Sequence, residues 1–117
     1  MRFLTISILT AALGFTSRAQ TPAPPAGNAE NGKKLYAQYG CYQCHGYAAQ
    51  GGAGPRLAPR PLVFAAFSKY VRQPSGEMPP YTAKVVSNSQ LADVYAFLRS
   101  VPPPPPVDSI PLLKDTP

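Results

Sequence analysis

Cys41-Tyr42-Gln43-Cys44-His45 gathers both cysteines and the sole histidine of the chain into five consecutive residues. Two thiols separated by two residues can add across the two vinyl groups of one haem, and the side chain that follows then reaches the iron. A thioredoxin-like redox pair uses the same two cysteines, but it would follow a strand in a βαβ unit, and no run here alternates convincingly as a strand. A structural disulfide suits an oxidising compartment and leaves the adjacent histidine without a role. A zinc site needs a fourth cysteine or histidine ligand that the chain does not have. Haem attachment through Cys41 and Cys44, with His45 on the iron, uses all three side chains.

The surroundings of this segment call for such a staple. The chain has 117 residues, 16 prolines and 14% charged residues. That length holds one small domain and excludes an enzyme with separate cofactor and substrate domains. Residues 1–19 read as a cleaved signal peptide: Arg2 precedes a mostly apolar run, and Ser17 and Ala19 are the small residues a peptidase needs for cleavage after Ala19. The run is broken by Thr5, Ser7, Thr10 and Gly14 and falls short of the about 20 residues that span a bilayer. A periplasmic protein without stable membrane insertion is therefore expected. Residues 20–27, with Pro22, Pro24 and Pro25, read as a linker, and residues 102–117 as a tail, polyproline II over Pro102–Pro106 and irregular beyond. The folded stretch, 28–101, lies near the size of about 70–80 residues below which an apolar core rarely suffices. A haem among Leu57, Phe64, Phe67 and the two end helices would supply the missing apolar surface.

Three helical patterns organise that stretch into an all-α fold. The first is expected over Ala29–Tyr39, capped by Asn28, with Gly32, Leu35, Tyr36 and Tyr39 on one face and Gly40 ending it. The second is expected over Leu62–Arg72, with Val63, Phe67 and Tyr70 facing inward and the residue before Pro74 leaving the helix. The third runs over Asn88–Ser100, with Ser87 and Gln90 spaced as a capping box, Leu91, Val94, Tyr95 and Leu98 on one face, and Pro102 stopping it. Loops fill 46–61 and 73–86.

An iron held by His45 has a sixth position, and the single methionine outside the leader, Met78, lies in Gly76-Glu77-Met78-Pro79-Pro80-Tyr81, where two prolines stiffen the backbone around the sulfur. A thioether there makes a weak, soft ligand. Loss of Arg2 and Arg18 with the leader leaves nine basic against five acidic residues, so the net charge falls from +6 to +4. The basic residues are scattered, unlike a nucleic-acid-binding stripe, and no nucleic acid is expected. Lys33, Lys34, Lys69 and Lys84 are expected to ring the haem edge and steer an acidic partner. Glu30, Glu77, Asp93, Asp108 and Asp115 offer no carboxylate pair for acid–base catalysis.

With these motifs in this order, the chain resembles the class I c-type cytochromes over nearly all of 28–101. Gly32 and Tyr36 look like the family's close contact of first helix on last, against Val94, Phe97 and Leu98. Gly54-Pro55-Arg56-Leu57 resembles its proximal loop, which implies a hydrogen bond from His45 to the Pro55 carbonyl and Leu57 against the haem. Gly76–Tyr81 resembles its distal loop, which makes Met78 the sixth ligand. The resemblance implies a cytochrome c-like fold of three to four short helices around one haem c, bound covalently by two thioethers, with His45 and Met78 on the iron. It implies a single-electron carrier rather than an enzyme: soluble, periplasmic and monomeric. Its partners would be redox proteins, a donor dehydrogenase or quinol-oxidising complex and an acceptor oxidase or reductase. A five-coordinate, ligand-binding or peroxidase-like haem and a small haem subunit of a periplasmic dehydrogenase complex are the alternatives. The family's propionate-binding tryptophan is missing, which leaves Arg72, Tyr81 and Arg56 as the expected propionate partners.

Overall fold

The computed structural model describes residues 23–113; the leader with its cleavage point after Ala19, the start of the linker and the last four residues lie outside the described residues. Four α-helices follow in order, α1 Ala29–Gln38, α2 Cys41–His45, α3 Phe64–Arg72 and α4 Asn88–Ser100, then two 3₁₀ turns, Val107–Ser109 and Pro111–Leu113. No strand occurs among the described residues, so the architecture is all-α.

The two end helices pack on each other because one position on α1 carries no side chain. Gly32 is buried, and a Cβ built on it would overlap the Asp93 carbonyl of α4. Asp93 also ties the crossing with its side chain: Oδ1 accepts from the Asn28 backbone N–H at 2.7 Å and Oδ2 from the Asn31 amide at 2.8 Å. Asn28 at the same time caps α1, accepting from the Asn31 N–H. One turn further along, Tyr36 of α1 meets Phe97 of α4, ring centroids 5.2 Å apart. Both bonds of the Ser87/Gln90 capping box are present, so α4 starts where the spacing expects and buries Leu91, Val94, Tyr95, Phe97 and Leu98.

Three boundaries differ from the sequence expectation. The first helix ends at Gln38 and Tyr39 serves as its C-cap; Gly40, at φ 74°, turns the chain directly into the five-residue helix α2, which periodicity cannot reveal at that length. The middle helix starts at Phe64, because Val63 is still extended and gives its carbonyl to Phe67. Leu62 and Val63 are consequently 60% and 57% exposed, and Phe67 alone is buried from the expected face. Phe64 turns to α4, edge-on to Tyr95 at 5.2 Å, instead of facing the interior space. Within the described part of the tail expected to be irregular, Val107–Ser109 and Pro111–Leu113 form two 3₁₀ turns, each closing its own backbone bonds.

Arg72 at the end of α3 fastens the loop that follows. Its Nη1 donates to the Tyr81 and Val86 carbonyls at 2.7 Å and its Nη2 to Asn88 Oδ1 at 2.9 Å. Three of the five guanidinium N–H groups thereby close residues 73–88 onto α3 and α4.

Two substitutions test these supports. Gly32→Ala is expected to lower the melting temperature of the folded protein, since overpacking against backbone costs about 1–3 kcal/mol or more and outweighs the roughly 1 kcal/mol that alanine gains over glycine in a helix. A melting temperature equal to or above that of the parent would contradict the close crossing. Arg72→Met is expected to cost at least about 2 kcal/mol, because hydrogen bonds from a charged donor are worth about 1.5–3 kcal/mol each. Amide exchange should accelerate between residues 73 and 88 first; uniform acceleration across α1 and α4 would speak against a local clasp.

Candidate functional site

A cavity of about 600 Å³ opens between the helices, inside the range of roughly 300–1,000 Å³ typical of cofactor pockets. Its floor is apolar: Val94 and Leu98 of α4, Phe67 and Val71 of α3, and Leu57 of the loop between. Cys41, Cys44 and His45 line it from α2, and Met78 lines it from the loop after α3. The four residues expected to hold a haem therefore border one space, with Pro55 beside them.

His45 is supported from behind. It is only 7% exposed, and its Nδ1 lies 2.8 Å from the Pro55 carbonyl. A carbonyl can only accept, so Nδ1 carries the proton and Nε2 keeps its lone pair for a metal. The ring rests on Gly54: a Cβ there would come within 2.7 Å of Cε1 and 2.9 Å of Nδ1. The loop is held to α2 by Gly54 N–H donating to Cys44 O at 2.8 Å and Gly51 N–H to His45 O at 2.9 Å. From the other side the Tyr36 hydroxyl donates to the Gly46 carbonyl at 2.9 Å, which locks α2 onto α1.

The two thiols are free and unequal, Cys41 half-buried and Cys44 exposed. Burial pushes the Cys41 thiol up to about 11, so it stays protonated near neutral pH. A disulfide-exchange cysteine shows the opposite displacement, because the thiolate is its nucleophile. Among the described residues no group of three or more histidine, cysteine and carboxylate side chains comes together for a metal, so nothing there completes a zinc site.

Met78 is half-buried and its loop is fixed at both ends. The Tyr70 hydroxyl donates to the Ser75 carbonyl at 2.9 Å, and the Tyr81 N–H donates to Val71 O at 3.0 Å. The Tyr81 hydroxyl donates to Tyr39 O at 2.9 Å, which joins this loop to the end of α1. Burial, with Cys41 and Cys44 adding to it, holds the Tyr81 phenol above its ordinary value. Tyr81 is thus a brace between two segments instead of a propionate ligand. Sequence reasoning placed Tyr39 and Tyr70 on inward helix faces without assigning them to a cavity, and it gave no weight to Val86, which lies in a loop where no period marks it.

The residues fit a haem. The space is apolar, an unprotonated imidazole nitrogen and a thioether border it, and two thiols stand at one side. Lys33, Lys34, Lys69 and Lys84 do not line the cavity itself, and the one carboxylate or cationic chain that does is Glu77. The lysines sit on the outer faces of α1 and α3 and in the loop before α4, where hydration suits an ammonium group.

Among the described residues no helix is long and apolar enough to cross a membrane. No curated protein and no solved structure matches the chain. Residues 27–98 match the family described as cytochrome C oxidase, cbb3-type, subunit III, a c-type cytochrome domain that covers α1 to α3, α4 as far as Leu98, and every residue of the cavity. The chain belongs to that family: it is a small c-type cytochrome, which binds haem c and iron and transfers electrons to and from redox proteins instead of acting as an enzyme.

Proposed function

We propose that this cytochrome is a soluble, periplasmic single-electron carrier whose haem is attached through Cys41 and Cys44 and whose iron is held by His45 and Met78. The observation that supports this most is that one cavity is bordered by both thiols, the imidazole and the only thioether available outside the leader. Haem, when bound, supplies an iron centre that takes up and releases one electron at a time.

The chain's own residues set the conditions for that exchange. Each cysteine S–H would add across one vinyl double bond, sulfur to one carbon and hydrogen to the other, a step that needs no oxidant. The Pro55 carbonyl keeps the His45 tautomer fixed, so the ligand does not rotate between oxidation states. Met78 offers a soft sulfur that favours the reduced iron and raises the potential. Leu57, Phe67 and Leu98 keep water from the centre. Gln43, Cys44, Ala53 and Pro55 border the cavity and are exposed, so the macrocycle edge nearest the attachment segment is where a partner protein would approach. Residues 1–19 support export to the periplasm, which N-terminal sequencing of the exported protein would test; a chain beginning at Gln20 is expected. The family description names an oxidase subunit, which supports a second reading in which the domain serves within such a complex.

Absorption spectra of the matured protein, oxidised, reduced and reduced under carbon monoxide, test the ligand set. Covalent c-type bands that survive denaturation are expected, with no response of the parent to carbon monoxide. Met78→Ala should open the iron to carbon monoxide and lower the reduction potential. If its spectra and potential match those of the parent, Met78 is not the ligand.

A further inference from the structure

A groove of about 420 Å³ shares no residue with the cavity that fits a haem. One wall is the end of the segment read as a linker, with Pro24 and Pro25, and the other is α4, with Tyr95, Ala96, Arg99 and Ser100. The segment is fastened to the helix. Gly27 lies so close to α4 that a Cβ on it would overlap the Ala92 carbonyl, and the next residue, Asn28, donates its N–H to Asp93.

Two polar side chains of this groove have no partner. Tyr95 is only 6% exposed, with its ring held 5.2 Å from Phe64 and 5.3 Å from Phe67 between centroids. Among the described residues its hydroxyl takes part in no hydrogen bond, yet no buried side-chain oxygen or nitrogen is left unpaired, so the hydroxyl reaches water. Tyr95 lines this groove and not the haem cavity. Arg99 is exposed, and among the described residues no hydrogen bond engages its guanidinium, which can only donate. Ser100 is already used, its hydroxyl donating to Phe97 O at 2.8 Å.

A ligand suited to two donors between apolar walls is apolar along its length, rich in acceptors and free of donors. The chain itself contains such a segment, Pro102–Pro106. Proline has no N–H, and polyproline II leaves its carbonyls without internal partners. All five prolines are exposed, and the carbonyls of Pro102 to Pro105 accept no hydrogen bond among the described residues. Five such residues extend about 15 Å, enough to pass the stretch of about 8 Å from Tyr95 to Ser100. We propose that the groove receives Pro102–Pro106 of a second copy of this chain, with Tyr95 and Arg99 donating to its carbonyls. The copy's own tail does not reach it: Val101 is extended at φ −66° and ψ 124°, Pro102 follows, and a stiff segment leading away from the end of α4 does not double back along it. Because Ser100 borders the groove and the tail begins two residues later, two copies related by a twofold axis exchange tails reciprocally. That contact closes at two chains, in place of the monomer that the family resemblance implies. The preformed polyproline segment loses little freedom on docking, as in other recognition of proline-rich segments by aromatic-lined grooves. The contact uses no residue of the haem cavity, and the inference does not rest on the ligand set proposed above.

Sedimentation equilibrium of the exported, matured chain over a range of concentrations tests this, and a monomer–dimer equilibrium is expected. Three variants locate the contact: deletion of residues 102–117, Tyr95→Phe and Arg99→Gln, each compared with the parent in absorption spectrum and melting temperature. The deletion should leave a monomer. Tyr95→Phe keeps the ring against Phe64 and Phe67 and removes only the hydroxyl. Each dimer then loses two hydrogen bonds, so its dissociation constant should rise about 5- to 100-fold. Arg99→Gln should weaken the dimer in the same direction. A parent chain that sediments as a monomer up to about 1 mM overturns the proposal. So does a dimer that survives deletion of the tail, since its interface lies elsewhere. If the deletion abolishes the dimer while Tyr95→Phe and Arg99→Gln both associate like the parent, the tail does not lie in this groove and the assignment is wrong.

Discussion

The contact of Gly32 with the Asp93 carbonyl sets the distance between α1 and α4, and every other part of the molecule is arranged around that crossing. Because α1 has no side chain at this point, its next turn can insert Tyr36 against Phe97, and the end of the helix delivers Gly40 and Cys41 to the wall of the cavity. A wider crossing would move α2 outward, and His45 with it, since the Tyr36 hydroxyl holds the Gly46 carbonyl. The missing methyl group on one residue therefore determines where an imidazole stands thirteen residues later. Asp93 makes the arrangement specific by taking both Asn28 and Asn31, so helix capping and helix crossing are satisfied by the same carboxylate.

Around that crossing the chain builds walls and leaves the middle open. Leu35, Phe97 and Tyr95 fill the contact between helices, but Leu57, Met78, Tyr81 and Val71 are only partly buried, and all four border the cavity. In a domain of this size such residues would ordinarily meet each other. Here they face a space large enough for a cofactor, so folding energy and redox function draw on the same apolar surface. The hydrogen bonds compensate for this open centre by running between segments: Tyr36 to Gly46, Tyr81 to Tyr39 and Arg72 to the chain before α4.

How much of this could be read beforehand depended on whether the signal was local. The capping box at Ser87 and Gln90 and the apolar spacing of α4 are interactions within four residues, and the helix stands where they put it. The Cys41–His45 spacing is equally local, and the residues it singled out border the cavity. The start of α3 was misread because Leu62 and Val63 continue an apolar pattern, whereas the backbone after Pro61 is still extended. Periodicity reports which side chains are apolar, and it is silent on which carbonyl the first turn uses. The bracing roles of Arg72 and Tyr81 were not legible for a related reason: a basic or phenolic side chain near a loop has many conceivable partners, and only the folded chain shows that nearby backbone carbonyls take them.

The two sides of the cavity are supported with different stiffness, and the difference suits the two ligands proposed for the iron. His45 has a hydrogen bond at its rear nitrogen, a glycine against its ring and two backbone bonds tying that loop to α2, so the ring has no room to turn. Met78 has none of these; its loop is fastened at Ser75 and again at Tyr81, and the five residues between the fasteners rely on two prolines for rigidity. A histidine nitrogen binds iron strongly and needs only the right tautomer. A thioether binds weakly and depends on being kept near the metal when the bond opens. On the ligand set proposed above, anchoring the loop at its ends would satisfy that need. Arg72 would then serve Met78 as Pro55 serves His45, with a half-buried guanidinium on backbone carbonyls.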